Sequence, residues 1–231
     1  MKKLFTVALV SLSIVGAQAQ STTPAKPILK NAIDSFSYAL GLNVANSLKD
    51  QGVADINTDV LKQAFADVLK TNTPGMSQET AINILQSHMH RMSEKKITAE
   101  KAKGKAFLEE NKKKKGVVVL ENGLQYEVLI AGDPKGMKPK AVDTVKVDYV
   151  GTTIEGTEFD SSIRRGEPTE FPLNGVIRGW TEILQLMPKG SKWKVYIPSD
   201  MAYGDRGAGG HIPGGAVLIF EITLHDIKPA Q

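Results

Sequence analysis

Apolar residues in the first third of the chain recur with the period of a helix. Phe36, Ala39, Leu40 and Val44 stand at i, i+3, i+4 and i+8, and Leu48 continues the stripe. The spacing predicts a helix with Asp34 as its N-cap and Gly52 just past its end. Val60, Leu61, Ala64, Phe65, Val68 and Leu69 predict a second helix, capped by Asn57 or Thr58 and broken by residues 71–75. A third begins at Ser77 and runs to about residue 114 without proline and with one glycine, Gly104. Its first half is amphipathic through Ile82, Leu85, Met89 and Met92, whereas its second half is filled by lysine and glutamate. Such a helix spans roughly 55 Å at 1.5 Å per residue. Being polar, it is expected to cross solvent and hold two units apart.

Past Gly116 the period becomes that of strands. Residues 124–130 form one after an Asn122-Gly123 turn. Val145, Val147 and Tyr149 alternate with Lys146 and Asp148, and Trp193, Val195 and Ile197 alternate with Lys192, Lys194 and Tyr196. Leu218, Phe220, Ile222 and Leu224 form one face of a last strand. Between them Ile177, Trp180, Leu184 and Met187 have helical spacing, ended by Pro188 and Gly190. The predicted class is α+β: N-terminal helices, a long connecting helix, and an antiparallel sheet wrapped on one short helix. The expected divisions are 1–19, 20–76, 77–115 and 116–231.

Composition changes this picture mainly at the N-terminus. Hydrophobic residues are 41% and charged residues 23%, ordinary for a soluble globular fold. Lys2 and Lys3, an apolar run over residues 4–15 and Ala17-Gln18-Ala19 predict a signal peptide cleaved after Ala19, followed by a tether over 21–30. Export follows, most directly to the periplasm, with secreted or surface-associated placement left open. No cysteine occurs anywhere, so an exported fold must rely on its core, and no lipid anchor is expected at the cleavage site. Removing the two signal lysines takes the net charge from +4 to +2, which argues against nucleic acid as a partner. No later stretch is apolar for the length of an integral membrane segment.

Other chemistry is sparse. His88 and His90 are two apart on a helix, and His211 and His225 lie elsewhere, so neither a metal nor any other cofactor is expected. The glycine-rich run 204–215 lacks the strand-to-helix context of a phosphate cradle. Two short helices and half a long one bury little surface, which predicts a homodimer through the N-terminal helices.

Three spaced motifs carry the most specific signal: Phe159-Asp160-Ser161-Ser162, Val176-Ile177-Arg178-Gly179-Trp180 and Ala202-Tyr203-Gly204. Together they resemble the FKBP family of peptidyl-prolyl cis/trans isomerases, over roughly residues 123–227. Ser37-Tyr38-Ala39-Leu40-Gly41 and the helices after it resemble the exported bacterial macrophage infectivity potentiator and FkpA-like type, whose N-terminal helices intertwine into a dimer. The resemblance implies catalytic roles for Asp160, Tyr203, Trp180 and Phe220, with the proline ring on the Trp180 indole. It implies walls from Tyr149, Phe159, Phe171, Val176, Ile177 and Ile212, with the Ile177 N–H holding a carbonyl. It also implies inhibition by rapamycin- or tacrolimus-type macrolides. Arg178 stands where many members have proline, Pro188-Lys189-Gly190 differs from the usual turn, and Gly214-Gly215 replaces a proline-containing pair, implying a looser loop.

The chemistry suits such residues. Rotation about a peptide bond has a barrier of about 18–20 kcal/mol because resonance is lost in the twisted state. The twisted amide is less charge-separated than the planar one, so an apolar cavity favours it, and no nucleophile is required. Three readings follow. One is an isomerase acting on proline-containing unfolded or partly folded exported chains. Another is a dimeric holdase with an incidental pocket. A third is a lysine-rich helix that docks on an anionic surface. Without the resemblance, periodicity supports only burial of Tyr149, Ile177, Trp180 and Phe220.

Overall fold

The computed structural model describes residues 29–53 and 55–230; the predicted signal peptide and most of the tether lie outside them. The chain divides into two compact units, up to Gly75 and from Met76 onward.

The first unit is a pair of helices, α1 (Ala32–Asp50) and α2 (Thr58–Ala66). Asn31, not Asp34, caps α1: its side chain accepts from Asp34 N–H at 2.8 Å, and the Asp34 carboxylate accepts from Lys30 N–H at 2.9 Å. Asn31 thus satisfies a free donor of the first turn while Asp34 reaches back past the cap to Lys30, and either residue alone reads as a cap. At the other end Gly52 takes φ 79°, with Gly52 N–H on Lys49 O and Val53 N–H on Leu48 O, both at 2.8 Å. That is a Schellman ending, which requires the left-handed residue glycine supplies. Asn57 caps α2 by accepting from Asp59 and Val60 N–H. Neither helix buries a single residue, and Phe36 and Val60 are 70% and 63% exposed.

The second unit starts with α3 (Gln78–Asn111), capped by Ser77. Strands β1 (Val117–Val119), β2 (Gln125–Ile130), β3 (Thr144–Thr153) and β4 (Glu158–Ser161) follow. After a short α4 (Ser162–Arg165) come β5 (Thr169–Pro172), α5 (Arg178–Leu184), β6 (Lys192–Ile197) and β7 (Leu218–Lys228). The sheet is antiparallel in the order β1-β2-β6-β7-β3-β4, with β5 on β3. Its inner face is the one predicted: Val145, Val147 and Tyr149, then Trp193, Val195 and Ile197, then Leu218, Phe220, Ile222 and Leu224 are all buried. Trp180, Ile183 and Leu184 of α5, followed by Met187, complete this core.

Tyr196 departs from the pattern. It alternates onto the outer face of β6 yet is buried, because α3 covers that face and sets Phe107 5.9 Å from its ring. Asn111 Nδ2 donates to Gln125 Oε1 at 3.0 Å, and Gln125 Nε2 donates to Leu108 O at 2.9 Å. The last turns of the long helix are therefore docked on the sheet rather than crossing solvent. Small and polar groups, Gly104 and Asn111, are what they bury, and an apolar-period search passes over both.

Candidate active site

Aromatic side chains from five elements converge beside α5. Trp180 is buried, with the rings of Tyr149 at 5.0 Å, Phe220 at 5.1 Å and Phe171 at 5.3 Å. Tyr149 and Phe220 meet the indole nearly edge-on, at 89° and 82°, and Phe159 stands edge-on to Phe220 at 5.6 Å. Such pairs contribute about 0.5–1.5 kcal/mol beyond area burial. Register explains the convergence. Gly151 of β3 lies opposite both Phe220 and Asp160 in the sheet, on the same face as Tyr149. A Cβ on Gly151 would fall 2.7 Å from Phe220 and 2.8 Å from Phe159, so two rings occupy the space a side chain there would need.

One polar corner borders this aromatic cluster. The Tyr149 hydroxyl donates to Asp160 Oδ2 at 2.5 Å, and Ser161 N–H donates to Oδ1 at 2.8 Å. Arg165 pairs with Asp160 and also donates to the Tyr149 hydroxyl at 2.9 Å and Thr169 Oγ1 at 3.0 Å. Its guanidinium lies 5.4 Å from the Tyr149 ring centre. Burial pushes the Asp160 carboxyl up, but the hydrogen bonds from Tyr149 and Arg165, with the Arg165 charge, hold it below its ordinary value. Burial and the bond to Asp160 push the Tyr149 phenol up, and burial and the Asp160 charge do the same to Tyr203.

Arg165 is the residue that sequence reasoning missed. It sits at the end of a four-residue helix, and only the fold brings it back to Asp160. The two serines after Asp160 set that helix. Ser161 Oγ accepts from Arg164 N–H at 3.1 Å, while Ser162 Oγ donates to Asp148 Oδ1 at 2.7 Å and accepts from Tyr149 N–H at 2.9 Å. His225 Nε2 joins Asp148 from the other side at 2.7 Å. Asp148 thus stands between Ser162 and His225, so the imidazole bonds the carboxylate rather than the serine, and the trio braces α4.

Phe159, Phe171, Val176 and Ile177 are half-buried against the core cluster, and Ile212 is buried. Ile177 immediately precedes α5, so its N–H has no acceptor within the helix, while its carbonyl accepts from Trp180 N–H at 2.9 Å. Tyr203 is 41% exposed, and it is near enough to Asp160 for that charge to help push its phenol up. Arg178 points to surface carboxylates, with Glu182 at 3.5 Å. Among the described residues no group of three or more His, Asp or Glu is placed to hold a metal, and no helix is long and apolar enough to cross a membrane.

Known proteins match this chain over most of its length. Residues 135–225 match the family described as FKBP-type peptidyl-prolyl cis-trans isomerase, and residues 33–128 match the domain amino-terminal to it. The chain is 42% identical to the outer membrane protein MIP of Legionella longbeachae, over 99% of this chain and 98% of that protein. It is also 42% identical to the FKBP-type 22 kDa peptidyl-prolyl cis-trans isomerase of Escherichia coli, over 83% and 93%. The crystal structure of FkpA from Escherichia coli superposes with a TM-score of 0.71 at 39% identity, covering 88% of this chain and all of that one.

Proposed function

The chain belongs to the FKBP-type peptidyl-prolyl cis-trans isomerases, and from that premise we propose that it turns X–Pro bonds in the aromatic recess over Trp180. The observation that carries this is the buried indole with three rings around it and one polar corner beside it. The prolyl ring lies on Trp180 between Tyr149, Phe159, Phe171 and Phe220, with Val176, Ile177 and Ile212 closing the rim. There the planar amide loses the hydration that its charge separation favours, and the twisted one loses less. The Ile177 N–H and the neutral Tyr203 hydroxyl hold the flanking carbonyls. Asp160, kept ionised by Arg165 and Tyr149, fixes the Tyr149 ring and presents its charge at the recess edge.

The direct test is cis/trans isomerisation of a short X–Pro peptide by the protein and by Asp160→Asn and Tyr203→Phe variants. Each variant is expected to lose about one order of magnitude in kcat/KM, the equivalent of one hydrogen bond worth about 1.4 kcal/mol. Wild-type rates from both would remove the polar corner from the mechanism.

pH dependence gives a second check. Asp160 is held below the ordinary carboxylate range near 3.9, and both phenols above the ordinary value near 10. Activity is therefore expected to be flat from about pH 5 to 9. Since Asp160 is lowered in the folded state, its bonding stabilises fully above its unfolded pKa and is lost as pH falls through the folded one. In Arg165→Met the acid limb moves to higher pH. A pH–rate profile that bends near neutrality, or one unaffected by Arg165→Met, would contradict these assignments.

We further propose that the N-terminal unit self-associates, and that the dimer adds chaperone activity for exported polypeptides. Support comes from the match to the amino-terminal domain and from an apolar groove of about 830 Å³ lined by Leu40, Val44, Leu48, Leu61, Phe65 and Leu69. Two helices that bury nothing of their own need such a partner. Leu61→Glu with Phe65→Glu is expected to give a monomer by sedimentation, with unchanged activity on short peptides and weaker suppression of aggregation. A dimer that survives both charges would place association elsewhere. Periplasmic export is the matching proposal for residues 1–19, tested by the mature N-terminus found on expression with the signal intact.

A further inference from the structure

Under the loop that carries Tyr203 and Ile212 lies α3. Residues 203–216 close on themselves: Ala208 and Ile212 exchange two backbone bonds at 3.0 Å, and Gly215 N–H donates to Gly204 O at 2.8 Å. At Gly207, with φ 65°, a Cβ would stand 2.2 Å from Ile212 O, so the loop cannot close over any other residue there. Its base then rests on helix backbone. A Cβ on Gly215 would fall 2.9 Å from both Ile97 O and Lys101 Cγ, and one on Gly214 would fall 3.1 Å from Ile97 Cγ1. Lys101 Nζ reaches Asp205 Oδ1 at 2.5 Å. Farther along α3, a Cβ on Gly104 would come within 2.7 Å of Val217 Cγ2. The Gly214-Gly215 pair that implied a loose loop is a place where loop and helix stand in close contact.

We propose that residues 97–104 of α3 are positioning residues for the isomerase site, holding the Tyr203–Ile212 loop over the aromatic recess. The inference rests on the recess being that site. The exposed Lys101–Asp205 pair could supply only about 0–1 kcal/mol and would not fix a loop alone. Close approach does, because Gly215 sets loop backbone against the Ile97 carbonyl with no loop side chain between them to yield. A helix displaced by a fraction of an ångström therefore moves the Tyr203 hydroxyl and the Ile212 wall, while Trp180, Tyr149 and Phe220 stay in the sheet core.

Gly104→Leu in the full-length protein tests this by wedging α3 off Val217 without touching the recess. Activity on a short X–Pro peptide is expected to fall about fivefold in kcat/KM, mostly through KM, a loss in the range of coupling through packed networks. In a Tyr203→Phe background the same change is expected to cost clearly less than about fivefold, since the loop's hydroxyl is already gone and only the displaced Ile212 wall is still felt. Amides of Gly215 and Ile212 are expected to exchange faster in Gly104→Leu. A folded Gly104→Leu with wild-type kcat/KM, or effects that simply multiply with Tyr203→Phe, would overturn the inference. If Gly104→Leu does not fold, Ile97→Ala with Lys101→Ala enters the same cycle with the same criteria. Trp180→Leu in the parallel assay separates two failures. Full activity there defeats the recess itself, whereas loss there with a silent helix variant defeats only the role of α3.

Discussion

Gly151→Ala is expected to lower kcat/KM for a short X–Pro peptide by about two orders of magnitude while the domain remains folded. Gly151 lies opposite Phe220 on one neighbouring strand and Asp160 on the other, and its missing side chain is the space that the Phe220 and Phe159 rings fill. A methyl there would approach Phe220 Cε1 to 2.7 Å and two Phe159 carbons to 2.8 Å, closer than real contacts allow. The strand is paired on both sides and cannot retreat, so the rings must move. Overpacking of this kind costs about 1–3 kcal/mol of stability. A misplacement of about 1 Å in a binding constellation costs about 10²-fold in rate. Gly175→Ala, where a Cβ meets only Pro172 at 3.5 Å, is the matched control and should keep its activity. Steady-state kinetics beside thermal melting of both variants checks this, and an active, folded Gly151→Ala would mean that the two rings are not part of the site.

Phe220→Ala should have the largest effect on stability. Phe220 is 4% exposed and packs within 5.1 Å of Trp180, 5.6 Å of Phe159 and 6.4 Å of Tyr149. Truncating a buried phenylalanine costs about 3–5 kcal/mol, a large share of a domain's net stability. Activity should fall with it, because the Trp180 indole loses one of its flanking walls. Phe220→Leu separates the two roles. It retains most of the volume and should cost less than about 1.5 kcal/mol, yet it removes the ring that stands edge-on to the indole. Denaturant unfolding should therefore find Phe220→Leu near wild type, while kinetics find it impaired. Equal recovery of both properties would make Phe220 a core residue only.

Strand faces were the most legible part of this chain. Period-two alternation picked out Val145, Val147 and Tyr149 and the apolar face of β7, because each strand has one face on the core and one on solvent. Tyr196 escaped because the face opposite the core is covered by α3, and alternation carries no information about a second covering. The α3 contacts were largely hidden, since besides the Phe107 and Ile97 side chains they run through Gly104, the Ile97 carbonyl and Asn111, none of which adds to an apolar stripe. At the recess, the motif order pointed to Trp180, Asp160 and Tyr203, and strand periodicity independently placed Tyr149 and Phe220 on the inner face. Arg165 gave no local signal. It holds the Asp160 carboxylate through the turn of α4, and that contact exists only once β3, β4 and β5 are paired.

The most direct test of the central claim is a rapamycin titration of X–Pro isomerisation by the full-length protein. The recess over Trp180 is expected to be the only route to catalysis, so activity should fall to the uncatalysed rate as the macrolide saturates one site per chain. Activity that persists at saturation, or a folded protein with no activity at all, would contradict it.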